Sequence, residues 1–291
     1  MTTSLLQNSK FWLLGIAGGL IALHLHVAWV MTHSIDQLTM SLLFWVAALR
    51  ILWKERYTLS LESEVAATCL GLLLIAWVLI KNTSIYSQTD ILVQITPFFS
   101  ALGLGLVASG FKGLKQYRRS LAIIFLISLP IATLSELIDK LIGSTILVAK
   151  FSTFVLWYLG FQVQRQGVQV ILPTGTVEVY SRCSGINLML LIVQIAVLAT
   201  LIFHLKHYQK ILLPIIGALL AFIVNGLRVT LMAVLVANSN QTAFEYWHGE
   251  EGAQVFTTSC ILIFGLFCYL LVQLSEKEGQ KEFSSQDSME F

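Results

Sequence analysis

Eight apolar runs, each close to the length of a membrane-crossing helix, constrain this chain more than any other feature. A helix of about 20 apolar residues covers the hydrocarbon core of a bilayer. The runs lie at 11–30, 38–54, 64–80, 91–110, 120–139, 185–204, 210–236 and 252–273. Backbone groups in lipid have no water to bond, so they must pair within the segment, and each run is expected as a helix. Only 12% of the 291 residues are charged, against about 25% in a soluble domain. The expected fold class is therefore an all-α polytopic integral membrane protein of about eight helices. The first run carries no small-residue cleavage site and is taken as a retained span. Basic stripes with interleaved aromatics are absent, which argues against nucleic acid as a partner.

Loop charges orient the spans. Arg50, Lys54 and Arg56 cluster at the end of the second and just after it, Lys112, Lys115, Arg118 and Arg119 lie between the fourth and fifth, Lys206 and Lys210 join the sixth to the seventh, and Lys277 and Lys281 follow the eighth. The alternate loops differ: 31–37 and 237–251 have no Lys or Arg, and 81–90 has only Lys81. By the positive-inside rule the basic loops are cytoplasmic, as are both termini. The aromatic segment 142–160 is expected to lie along the interface, not to cross. Pro130 is expected to kink the fifth span, and Gly15 and Gly19 match a small-xxx-small helix contact.

The loop between the fifth and sixth spans is then extracytoplasmic. Residues 161–180 alternate with period two and are punctuated by Gly167 and Pro173-Thr174-Gly175, which predicts a small β-hairpin or three-strand flap. The expected organisation is an N-terminal helical scaffold at 1–140, a catalytic core at 141–274 and a disordered tail at 275–291.

Three residues map to the outer side under this one topology. Cys183, one of four cysteines, lies in Ser181-Arg182-Cys183-Ser184-Gly185, where a polar stretch becomes an apolar run. Cys69, Cys260 and Cys268 sit inside apolar runs and are expected to be buried and inert. A helix N-terminus and the adjacent Arg182 favour a thiolate at Cys183. Arg228 lies in the seventh span about two turns below its outer end. An arginine at that depth is functional by default, and Asn225 shares its helical face. His248 stands just ahead of the eighth span, beside Tyr246 and Trp247. Cys with His supplies nucleophile and base, and Arg holds a substrate carboxylate or stabilises an oxyanion.

Other residues are weaker candidates. His24 and His26 do not share a helical face, and His204 with His207 suits interfacial anchoring better than metal binding. Ser184 is the poorer nucleophile beside a thiol. Glu136 and Asp139 are either proton-relay groups or the solvated start of the loop. Two competing classes remain: a transporter with a functional buried Arg, and a thiol oxidoreductase, which needs a second cysteine within reach.

The ordered set Cys183-Ser184-Gly185, Asn225-x-x-Arg228 and His248-x-x-x-Gly252 resembles the exosortase/archaeosortase family over about 150–260, and Tyr246-Trp247-His248-Gly249 is most similar to its cyanobacterial branch. The resemblance implies a membrane cysteine protease or transpeptidase of the inner membrane. Such an enzyme cleaves exported proteins at a C-terminal Pro-Glu-Pro-type signal followed by a membrane helix and a basic end, and transfers the new carboxyl end to an acceptor. It implies Cys183 as nucleophile, Arg228 as the essential arginine and His248 as base, with Ser184, Gly185, Asn225 and Gly252 in supporting or substrate-binding positions. This chemistry requires no metal or organic cofactor. Soluble sortases use the same three residue types on an unrelated fold, which implies convergence.

Overall fold

A computed structural model describes the backbone of residues 9–33, 35–83, 90–203 and 205–287, and the side chains of 11–275 among them. Among these residues seven helices are long and apolar enough to cross a membrane, or eight spans if one bent pair counts as a span. The all-α polytopic fold is the one expected. His204 and loop residues 84–89 lie outside the described residues. Two compact units divide the chain, Met1–Pro130 and Ile131–Phe291.

The first unit contains α1 (Ser9–Thr32), α2 (Ile35–Glu55), α3 (Val65–Thr83), the short α4 (Ile91–Gln94), α5 (Thr96–Gly113), a 3-10 turn (Leu114–Tyr117) and α6 (Arg118–Ile127). α3 and α5 meet glycine on glycine. A Cβ on Gly71 would stand 2.6 Å from the Gly103 carbonyl oxygen, and one on Gly103 would stand 2.9 Å from that of Gly71. Helices in lipid gain little from hydrophobic burial, so close backbone approach is what joins them. Gly15 and Gly19 have no atom within 4 Å of a Cβ added there, among the described residues, so the contact expected at that pattern is at Gly71 and Gly103 instead. The motif permits close approach but does not choose its partner. Between α1 and α2, Trp45 Nε1 donates to His24 Nδ1 at 2.9 Å, satisfying two polar groups on apolar helices.

The expected span 120–139 is not one kinked helix. α6 ends at Ile127 and α7 (Ile131–Ile142) starts after Pro130, which has no N–H to continue the ladder.

The second unit opens with α7 and α8 (Ser144–Tyr158), bent by 69° at Gly143, which adopts φ 65°. α8 covers the segment expected at the interface, and one face of it is buried: Ser152 Oγ donates to Gly226 O at 3.1 Å, and the Phe151 ring occupies the space a Gly226 side chain would fill. Three antiparallel strands follow in the order β1-β2-β3, namely β1 (Gln164–Gln166), β2 (Gln169–Leu172) and β3 (Gly175–Glu178). The three-strand form of the expected flap is the one observed. Its inward residues Val170, Leu172, Val177 and Val179 are buried with Val229, Met232 and Ala233.

Those last three belong to α10 (His207–Ala237), which follows α9 (Ile186–Ile202). At 1.5 Å per residue the 31 residues of α10 span roughly 46 Å, longer than a hydrocarbon core of about 30 Å. The end of this helix carries the sheet: Thr174 Oγ1 donates to Ala237 O at 3.1 Å, and Gly175 lies against Val236. α11 (Gln241–His248) and α12 (Glu250–Asp287) complete the unit. α12 continues to Asp287, and 275–282 supplies it with the helix formers Glu, Lys and Gln and no proline.

Candidate active site

The site grows from the end of β3. After Tyr180 the chain makes a 3-10 turn, Ser181–Cys183, in which Cys183 N donates to Tyr180 O at 2.8 Å. Gly185 then reverses it at φ 75°, and α9 begins at Ile186. Glycine is required there twice over. The left-handed backbone disfavours any Cβ, and a Cβ would also stand 2.6 Å from the Asn225 side chain. Asn225 in turn donates its Nδ2 to Cys183 O at 2.8 Å. Its contact is with the turn itself. Ser184 is buried, and its hydroxyl oxygen accepts from Ile186 N, the first residue of α9, at 3.4 Å.

A second tie comes from Asp139 of α7. Its Oδ2 accepts from Ser181 Oγ at 2.9 Å, and its Oδ1 accepts from Thr145 N at 3.2 Å and from the Ser144 hydroxyl. Asp139 therefore joins the α7–α8 bend to the turn that carries Cys183. Glu136 is exposed. Sequence reading missed this role of Asp139 because its partner Ser181 is 42 residues away, and nothing local marks the pair.

Arg228 lies nine residues before the end of α10 and is half-buried. Its Nε and Nη2 each donate to Trp247 O at 3.2 Å, and Nη2 donates to His248 O at 2.9 Å. A cation on the last carbonyls of a helix satisfies acceptors that the helix leaves open and complements its dipole. The guanidinium thus holds the C-terminal end of α11, and Nη1 has no protein partner among the described residues.

His248 is the last residue of α11 and is exposed. Its ring stacks on Phe244 one turn earlier, with centroids 5.4 Å apart and planes 9° from parallel. Phe244 went unnoticed in the sequence, although its i, i+4 spacing from His248 was the available signal. Gly252 supports the same corner. A side chain there would collide with the Trp247 backbone and stand 2.6 Å from Tyr246 O, so only glycine lets α12 start this close to the end of α11.

These elements enclose a cavity of about 410 Å³ whose walls include Cys183, His248, Phe244, Val229 and Met232, with residues 176–180 along one side. Cys183 is 7% exposed. Burial works against a thiolate there, and the Arg228 charge, within electrostatic reach, works for it. The sequence-based expectation counted only the favourable influences. The structure brings Cys183 and His248 to one cavity; Arg228 stands behind, reaching the site through the backbone that carries His248. Cys260 in α12 is buried as expected and Cys268 in the same helix partly so, whereas Cys69 is exposed on α3, whose outward apolar face needs no protein cover in lipid.

The family model described as transmembrane exosortase matches residues 10–265. No curated protein and no solved structure matches the chain.

Proposed function

The chain belongs to the transmembrane exosortase family, a family of cysteine proteases and transpeptidases that process sorting signals, and we propose that it cleaves such signals through Cys183, His248 and Arg228. It is a multi-pass membrane protein. Its substrates are exported proteins with a C-terminal Pro-Glu-Pro-type motif, a membrane helix and a basic end, and it belongs to the cyanobacterial branch. It sits in the inner membrane with both termini cytoplasmic and the site on the opposite face; the Lys and Arg distribution of the loops supports that orientation.

The observation that carries this reading is the shared cavity of Cys183 and His248, backed by an arginine bonded to the His248 carbonyl. His248 takes the thiol proton, and Sγ attacks the scissile carbonyl carbon. The C=O pair moves onto oxygen, where positive charge from Arg228 stabilises it, or Arg228 orients a substrate carboxylate. As the tetrahedral species collapses, the C–N bond breaks and His248 returns its proton to the leaving amine. The signal's membrane helix departs, and the thioester is resolved by an amine, a hydroxyl or water.

The test is co-expression with an exported reporter ending in such a signal. Cys183→Ala is expected to abolish cleavage. His248→Ala should lower it by about 10²–10⁴, and Arg228→Ala by about 10²–10³. Wild-type rates in all three variants overturn the reading.

A further inference from the structure

β3 is an edge strand with a chemically open side. β2 is its one strand partner, in the register Val170↔Val177 and Gln169↔Glu178. Val179 N donates to Val168 O at 3.1 Å, which sets the phase of the ladder. Residues of an antiparallel strand alternate in the side to which their N–H and C=O point. Val177 and Val179 therefore bond β2, and Thr176 and Glu178 turn their backbone groups the other way. No hydrogen bond from the described residues meets those groups from outside the sheet.

The open side faces chemistry. Residues 176–180 line the cavity that holds Cys183 and His248, with Phe244 and His248 among its other walls. The strand pairing ends where the site begins, because Tyr180 O is taken by Cys183 N as the chain turns to present the thiol. Thr176 and Glu178 have exposed side chains, so what this edge supplies to an added strand is affinity through its backbone.

We infer that the substrate polypeptide binds by strand addition. The extended segment beside the scissile bond pairs with Thr176 and Glu178 as a fourth strand and carries its carbonyl to Cys183. Main-chain hydrogen bonds on a sheet edge give affinity with little dependence on side-chain identity. This rests on the proposed function of the same site.

Two measurements test it, both using a synthetic peptide with the Pro-Glu-Pro segment, its flanking residues, the membrane helix and the basic end in detergent micelles. The first scans the peptide by N-methylation of each non-proline amide, with wild-type enzyme, so that no enzyme variant has to fold. Strand addition predicts that methylation raises KM about five- to tenfold per lost bond at every second amide and little between. The second compares Thr176→Pro and Glu178→Pro, which delete outward N–H groups on an edge that tolerates proline, with Thr176→Ala and Glu178→Gln. The proline variants should raise KM by a similar factor at an unchanged unfolding midpoint, and by several-fold more than the side-chain variants at the same two positions. A flat or non-alternating scan, or proline variants with wild-type KM, overturns strand addition and leaves the proposed function standing. Failure of wild type to cleave the unmodified peptide overturns both. A benzoylphenylalanine placed at 178 that captures a second copy of this chain, and not the peptide, also overturns it.

Discussion

Both units use glycine for close helix contact, as at Gly226 against Phe151 in the second, but the second also uses it to turn the chain. In the first, Gly71 and Gly103 are flat places on regular helices, and what they contribute is proximity. In the second, Gly185 and Gly143 bend the chain at φ 75° and 65°, and Gly252 lets one backbone pass against another. Gly110, at φ 65°, is the first unit's exception, and it lies near the end of α5. A bundle held by proximity tolerates any sufficiently small pair. A site held by left-handed turns has one residue type that fits each turn. The difference marks where the fold is built for direction, as against mere association.

The sharpest way to break that comparison is Gly185→Ala. Left-handed strain of about 1–3 kcal/mol adds to the collision with Asn225, and reporter cleavage is expected to fall by about two orders of magnitude, since small misplacements at a reacting centre cost that much. A stable variant with normal cleavage would erase the distinction between the units. Gly71→Val is next. Overpacking against Gly103 is expected to cost about 1–3 kcal/mol, read as a lower denaturation midpoint in detergent, while the rate at which iodoacetamide alkylates Cys183 stays as in wild type. Asn225→Ala leaves the Cys183 carbonyl without its donor. A loss of about 1–3 kcal/mol is expected, with cleavage down about tenfold in kcat. Asp139→Ala releases Ser181 and the α7–α8 bend, for about 1–2 kcal/mol and a several-fold loss of cleavage.

The smallest effect belongs to the first unit. Asp90 pairs with Lys81 at 3.1 Å. That hydrogen bond, opposed by desolvation, holds the Asp90 carboxyl below its ordinary value. Its contribution is therefore present above the ordinary carboxylate range and is lost as pH falls through the lowered value. Asp90→Asn should flatten the acid limb of a stability profile and leave cleavage at neutral pH unchanged.

How much of this was legible depended on whether the information was local. Cys183, Arg228 and His248 stood out because each is a polar residue where an apolar run begins, ends or should not be interrupted. The sheet was legible from period-two alternation and the turn at Pro173-Thr174. The bend at Gly143 was not, and Pro130 was read as a kink within one span and not as a break, because hydropathy measures apolar length and is blind to a bend between two short helices. The partner of a glycine face was equally hidden: Gly15 and Gly19 have the pattern, and Gly71 and Gly103 have the contact. Asn225 and Gly252 were marked as supports, but what they support is backbone geometry, which only the fold brings together.

Asn225 and Arg228 sit three residues apart on α10, one gripping the carbonyl of Cys183 and the other the carbonyls of Trp247 and His248. The helix therefore works like the beam of a caliper, with both jaws mounted on the same bar. A bilayer that thins, thickens or tilts this bar moves thiol and imidazole as a pair, so the gap between them is set within less than one helical turn and is insulated from the lipid around it.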